Sequence, residues 1–176
     1  MIFVTGTKRS GTSLWMQILE SAGFPYIGSE LPHEWKQSIG EANPKGFYES
    51  MLRQGVNATT NPHPKTGRFL FPKTVEKHVV KVFIPGLVRS DYGFINHVVV
   101  SIRPWREYCT SLNRLYAMED AHLSKRETKD GASALEKARK HRSPYPPELE
   151  WWFENYMLIR DLAIRRYPYQ IEAHSS

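Results

Sequence analysis

The chain holds a single cysteine, Cys109, which excludes an internal disulfide framework and a thiolate zinc cluster. It has no unbroken run of about 18 apolar residues, so no membrane span is expected. The opening Ile2-Phe3-Val4-Thr5 is too short for the apolar core of a secretory leader and runs directly into glycine-bearing sequence. No period of about 20–50 residues repeats, which argues against solenoids and propellers. An acidic cluster spaced for a metal ion is also missing, and no metal is expected. The simplest expectation is a soluble protein of the cytoplasm.

What is present is 176 residues with 40% apolar content, enough for one domain over 1–176 with a real core. Lysine and arginine total 24 against 18 acidic residues, a formal charge of +6. That excess favours an anionic partner, whether phosphorylated nucleotide, nucleic acid or acidic membrane. No nucleic-acid fold or stacking motif can be read, so a nucleic-acid partner is not expected. The basic run over 125–142 is interrupted by Glu127, Asp130 and Glu136, as on a solvated helix face.

Apolar, β-branched runs alternate with helical patterns, which predicts a three-layer α/β fold: a mostly parallel sheet flanked by helices, P-loop NTPase-like. Strands are expected at 2–5, 26–27, 78–84 and 97–102, with a fifth beginning near 169–172. A first helix is expected over 12–22 with Leu14, Ile18 and Leu19 on its apolar face. Short helices are expected over 30–39 and 50–58, and a flexible loop over 59–68. Pro85-Gly86 should end the third strand, and Pro104 should open a helix over 105–120. Residues 122–146 are charged and poor in large apolar side chains, which reads as a mobile excursion, partly helical around 132–140. A last helix over 147–166 should pack Trp151, Trp152, Tyr156, Ile159, Leu162 and Ala163 into the core.

Gly6-Thr7-Lys8-Arg9-Ser10-Gly11-Thr12-Ser13 lies between the first strand and the first helix. Two glycines bracket four residues, as in a loop whose backbone N–H groups and helix N-terminus surround a phosphate. The lysine that an NTPase needs after the second glycine is replaced by Thr12, and a hydroxyl cannot supply that charge to a β/γ-phosphate. Positive charge sits instead within the loop, at Lys8 and Arg9. A second anion clamp is expected where Arg103 leaves the fourth strand and Ser111 follows about two helical turns on. Both clamps fall at the carboxyl edge of the strands, where open α/β sheets bind ligands. Together they suit a nucleotide with phosphates at both ends.

Thr5 through Ser13 resembles the 5′-phosphosulfate loop of sulfotransferases that use 3′-phosphoadenylyl sulfate (PAPS). Arg103 and Ser111, at their eight-residue spacing, are similar to that family's 3′-phosphate motif. Asn43-Pro44-Lys45-Gly46-Phe47-Tyr48-Glu49 is similar to a segment common among its bacterial members. The resemblance covers roughly residues 2–50 and 79–115. It implies sulfuryl transfer from PAPS to a hydroxyl or amine on a small-molecule or glycan acceptor, leaving adenosine 3′,5′-bisphosphate (PAP). Arg9 would stand beside the bridging oxygen between phosphate and sulfate. Lys8, Ser10, Gly11, Thr12 and Ser13 would complete the 5′ loop, and Arg103 and Ser111 would hold the 3′-phosphate. Lys8 stands where many relatives have proline. The glycine-rich basic segment that many relatives carry near the C-terminus has no counterpart after residue 150, so the chain is either truncated or a minimal version.

An acceptor hydroxyl or amine needs a general base. Glu30 after the second strand is the first choice, with Glu49 and His33 as alternatives. Glu49 could equally cap a helix beginning near Ser50. Lys81, unusual inside an apolar strand, could assist the sulfate or snorkel from the sheet end. The competing expectation is a P-loop kinase or nucleotide hydrolase with a displaced lysine, dependent on Mg²⁺ and ATP.

Overall fold

The computed structural model describes residues 1–28, 48–124 and 131–173. Five strands form one all-parallel sheet in the order β2-β3-β1-β4-β5. They are β1 (Ile2–Gly6), β2 (Tyr26–Ile27), β3 (Val79–Lys81), β4 (His97–Ile102) and β5 (Tyr169–Ala173). The helices are α1 (Thr12–Ser21), α2 (Ile84–Arg89), α3 (Trp105–Ser124), α4 (Gly131–Lys140) and α5 (Pro147–Arg165). This is the three-layer α/β architecture that the alternating pattern predicts.

The central strand β1 is apolar on both faces because helices cover both. Phe3 lies in register with Val80 and Val98, and all three join the larger core with Leu87 of α2 and Leu158 and Leu162 of α5. Val4 points the other way, into a smaller core with Met16, Val79 and Val99 beneath α1. Strand periodicity of two sends Lys81 to that same α1 face, since it pairs with Val4. Among the described residues no helix is long and apolar enough to cross a membrane.

Several expectations about elements need correction. The buried residues of α1 are Thr12 and Met16, with Trp15 and Leu19 packed beside them. Leu14 and Ile18 are exposed. The tight connection from β1 through Gly11, at φ 97°, fixes the helix's rotation, and hydropathy alone misplaces it by a residue. Pro85 does not simply end a strand. It occupies the first turn of α2, where a missing N–H costs nothing. Residues 51–54 form one 3₁₀ turn, capped when Ser50 Oγ accepts from Leu52 N at 3.2 Å; Ser50, not Glu49, is the cap. The 59–68 segment is tied down, because Asn61 Oδ1 accepts from Leu70 N and its amide donates to Leu70 O.

Within the charged 122–146 stretch, the helix expected around 132–140 is present as α4, and the chain then turns through 141–146 without helix. Arg142 fastens this stretch to α3 through Glu119 at 2.6 Å and Asp120 at 2.5 Å, while its guanidinium lies 4.2 Å from the Tyr116 ring. On α5, Leu162 is buried and Trp151 packs inward, but Trp152, Tyr156, Ile159 and Ala163 face solvent. The short 30–39 helix lies outside the described residues.

Gly86 illustrates how closely α2 is seated. A Cβ there would lie 2.6 Å from the carbonyl carbon of Gln54 and the nitrogen of Gly55, and 2.7 Å from Arg53 O. Backbone on three sides cannot yield as a side chain would. Gly86→Ala should therefore cost about 3 kcal/mol, read as a lower urea midpoint at unchanged slope.

Candidate functional site: the glycine loop and its cations

Neighbouring strands β1 and β4 send their following chains to opposite sides of the sheet, so a crevice opens at their carboxyl ends. The glycine loop after β1 and Arg103 after β4 both emerge there. The loop turns back through a Ser10 N to Thr7 O hydrogen bond of 3.2 Å. Ser101 Oγ of β4 donates to the carbonyl of Ser10 at 2.5 Å, pinning the loop to the sheet. Gly6 is required at this approach because a Cβ would collide with Ser10 Oγ and with the carbonyl oxygen of Ser101.

Gly11 is the N-cap of α1 and makes no side-chain cap, and no acid occupies the first turn. The backbone N–H groups and positive dipole end of α1 therefore face the crevice with no acid of the helix's own first turn beside them. Thr12 is buried at the head of that helix, and Ser13 follows it half-buried. Ser10 is 1% exposed, and its hydroxyl has no hydrogen-bond partner among the described residues.

Arg9 takes a left-handed backbone conformation, φ 66°, uncommon for a residue with a Cβ. Its Nε donates to Ser111 Oγ on α3 at 3.1 Å, and Arg103 Nη1 donates to the Arg9 carbonyl at 3.1 Å. Arg103 also bonds Glu107 at 3.3 Å, and its own carbonyl accepts from Trp151 Nε1 at 2.9 Å. Burial holds the Arg9 guanidinium below its ordinary value, and the positive charges of Arg103 and Arg114 add to that. Three guanidinium groups thus share one field. The sequence spacing assigns Arg9 to one clamp and Arg103 with Ser111 to another, yet the fold gathers all three side chains into one cluster.

Lys81 supplies the cation on the α1 side. It is 6% exposed, and so does not snorkel. Its Nζ lies 2.6 Å from Glu49 Oε1 and 3.4 Å from Ser13 Oγ. Burial outweighs Glu49 and lowers its pKa, with Arg9 and Arg53 acting in the same direction. Glu49 is equally buried, with Arg53 Nη1 3.7 Å from its other oxygen. Its carboxylate is thus held between two cations. Glu30 and His33, the other base candidates, lie outside the described residues, as do 43–47 of the bacterial-type segment.

Lys8 turns away from the crevice. Its Nζ donates to Glu150 Oε1 of α5 at 2.9 Å, and this carboxylate raises its pKa against the opposing effect of burial. Glu154, one turn on, has its carboxyl pushed up to about 7, by burial first and then by Glu150, with Lys8 opposing. Burial and these two acids also raise the Tyr108 hydroxyl. Sequence reasoning missed Ser101, Arg114, Glu150 and Glu154. Nothing in their spacing marks them, because each meets the loop only through tertiary packing. No group of three or more His, Cys, Asp or Glu able to hold a metal occurs among the described residues. Compared with protein-family models, curated proteins and solved structures, the chain matches none.

Two outcomes follow. Glu49→Gln removes the charge facing buried Lys81 and should cost about 3 kcal/mol; a catalytic base would instead lose turnover at unchanged stability. Glu154 is protonated more readily in the folded chain than at its reference value of 4.5. Its burial is therefore harmless below pH 4.5, and its penalty grows to completion as pH rises through about 7. Glu154→Gln should stabilise the protein relative to wild type by on the order of 2 kcal/mol at pH 8, and far less at pH 5, in paired denaturation curves.

Proposed function

We propose that this protein is a sulfotransferase, moving a sulfuryl group from PAPS to a hydroxyl or amine acceptor. The observation that carries this reading is the joint placement of Arg9, Arg103 and Ser111 beside the uncapped start of α1. Cations and amide donors at one crevice suit a ligand with separated phosphates, and the loop's resemblance to the 5′-phosphosulfate loop narrows that ligand to PAPS. The nucleotide would supply the sulfuryl group: the acceptor oxygen or nitrogen would bond to sulfur as the sulfur–bridge-oxygen bond breaks, the acceptor's proton would pass to the general base, and PAP would leave with the electron pair.

The chain's own residues divide the remaining work. The loop amides from Ser10 to Ser13 and the α1 dipole would hold the 5′-phosphate. Arg103 and Ser111 would hold the 3′-phosphate, with Arg9 between the two ends. Negative charge grows on the bridge oxygen in the transition state, so a fixed cation there binds it more strongly than the ground state. Arg9 and Lys81 are the groups able to supply it. Lys8, held by Glu150, would orient the loop. Glu49 is committed to Lys81 and Arg53, which leaves Glu30 as first choice of base and His33 as the alternative.

A kinase or nucleotide hydrolase is the second reading, favoured by the Lys81 ammonium 3.4 Å from Ser13 Oγ. An ammonium reaching the loop from β3 could replace the lysine missing at Thr12. Thermal shift separates the two. PAP at about 100 times its Kd should stabilise the protein by about 2.7 kcal/mol, a rise on the order of 5–10 °C at this chain length. A rise with ATP and magnesium but none with PAP would overturn the sulfotransferase reading.

A further inference from the structure

The outer arc of α5 carries apolar side chains where a solvated helix carries charge. Leu149, Trp152, Phe153, Tyr156, Ile159 and Ile164 are 46, 64, 52, 60, 57 and 62% exposed. Successive members fall one, three or five residues apart, and at about 100° per residue all six lie within one arc of roughly 140°, so they form one stripe along the helix. The Tyr145 ring, also exposed, sits 5.4 Å from that of Phe153 and extends the stripe beyond the start of the helix. The inner arc of the same helix is fully occupied: Glu150 holds Lys8, Trp151 holds the Arg103 carbonyl, and Leu158 and Leu162 enter the core. The outward aromatics therefore cannot be explained by rotation of the helix, because turning them inward would expel those groups.

We infer that this stripe is the interface of a homodimer, α5 packing antiparallel against α5 of a second copy across a two-fold axis near Tyr156. The size of the stripe supports this. An aromatic side chain offers about 150–250 Å², so half-exposed rings and aliphatics together present on the order of 700 Å² per copy. Two copies would bury roughly 1,400 Å², within the range of about 1,200–2,000 Å² for stable specific interfaces. A lone protein's largest apolar patch is typically about 300–600 Å².

The stripe is also self-complementary, as a two-fold contact demands. Pairing about Tyr156 sets exposed Arg160 against Trp152 of the second copy, a guanidinium on the ring type that attracts cations best. The same pairing sets the small Ala163 against Leu149, and Ile159 against Phe153. The stripe contains no carboxylate to be buried unpaired. The geometry of the stripe stands whether or not the chain transfers a sulfuryl group.

Analytical ultracentrifugation of the full chain tests the inference. At about 100 µM the wild type should sediment with twice the protomer mass of 20.4 kDa. Trp152→Glu and Tyr156→Arg should each weaken the dimer by about 30-fold or more, with unchanged circular dichroism and with loss of the rise in thermal midpoint that the wild type shows as protein concentration increases. Because Cys109 is buried, Tyr156→Cys adds a single surface thiol close to the two-fold. Oxidation should link two copies through it, whereas Glu136→Cys on the exposed face of α4 should not link them. A wild type that stays monomeric would overturn the inference, as would a dimer indifferent to both charged substitutions. So would a monomer that binds vesicles of phosphatidylcholine and phosphatidylserine through Trp152.

Discussion

One hydrogen bond organises the crevice: the Ser101 hydroxyl of β4 donating to the Ser10 carbonyl of the glycine loop. It is buried, so no water competes for either group, and it makes the loop an extension of the sheet. Gly6 must lack a Cβ for that approach, and Gly11 must accept a left-handed turn to begin α1. With the loop fixed, the start of α1 and the Arg9 carbonyl have only one place to be. Arg103 reaches that carbonyl from the next strand, so the glycine loop and the β4 exit are locked to each other.

Charge around the loop is partitioned as well as concentrated. Arg9, Arg103 and Arg114 share one field on the α3 side, and Lys81 stands at Ser13 on the α1 side. Glu49 offsets Lys81 and Arg53, while Glu150 offsets Lys8. Burying several like charges costs more than their number would indicate unless counter-charges sit close. The two glutamates allow the cations to be packed together at the crevice. Glu154, kept partly protonated near neutrality by burial and by Glu150, avoids adding another buried charge to the Lys8 pair.

Helix α5 links this electrostatic arrangement to the outside of the molecule. Its inner arc touches the loop through Lys8 and the β4 exit through Arg103, and its outer arc offers aromatic surface. A second copy seated there would restrain the helix that orients both segments. Rigid support of this kind is what a binding crevice needs to keep charged groups within a few tenths of an ångström of their working positions.

The parallel sheet, the glycine loop and the cation-bearing exit from β4 are legible in the residues alone. Each depends on local order: runs such as His97–Ile102, glycines at fixed offsets, and a proline two residues past a strand. The tertiary structure decided which helix faces are buried, because α1 is rotated by the loop it follows and α5 is held by Glu150, Trp151 and Leu158. It also decided that Lys81 faces Ser13 and Glu49, through its register with Val4, and that Lys8 turns to Glu150 while Arg9 turns to Ser111. These contacts join residues 32 to 142 positions apart. Local pattern carries no record of such distances; only packing selects which charges meet.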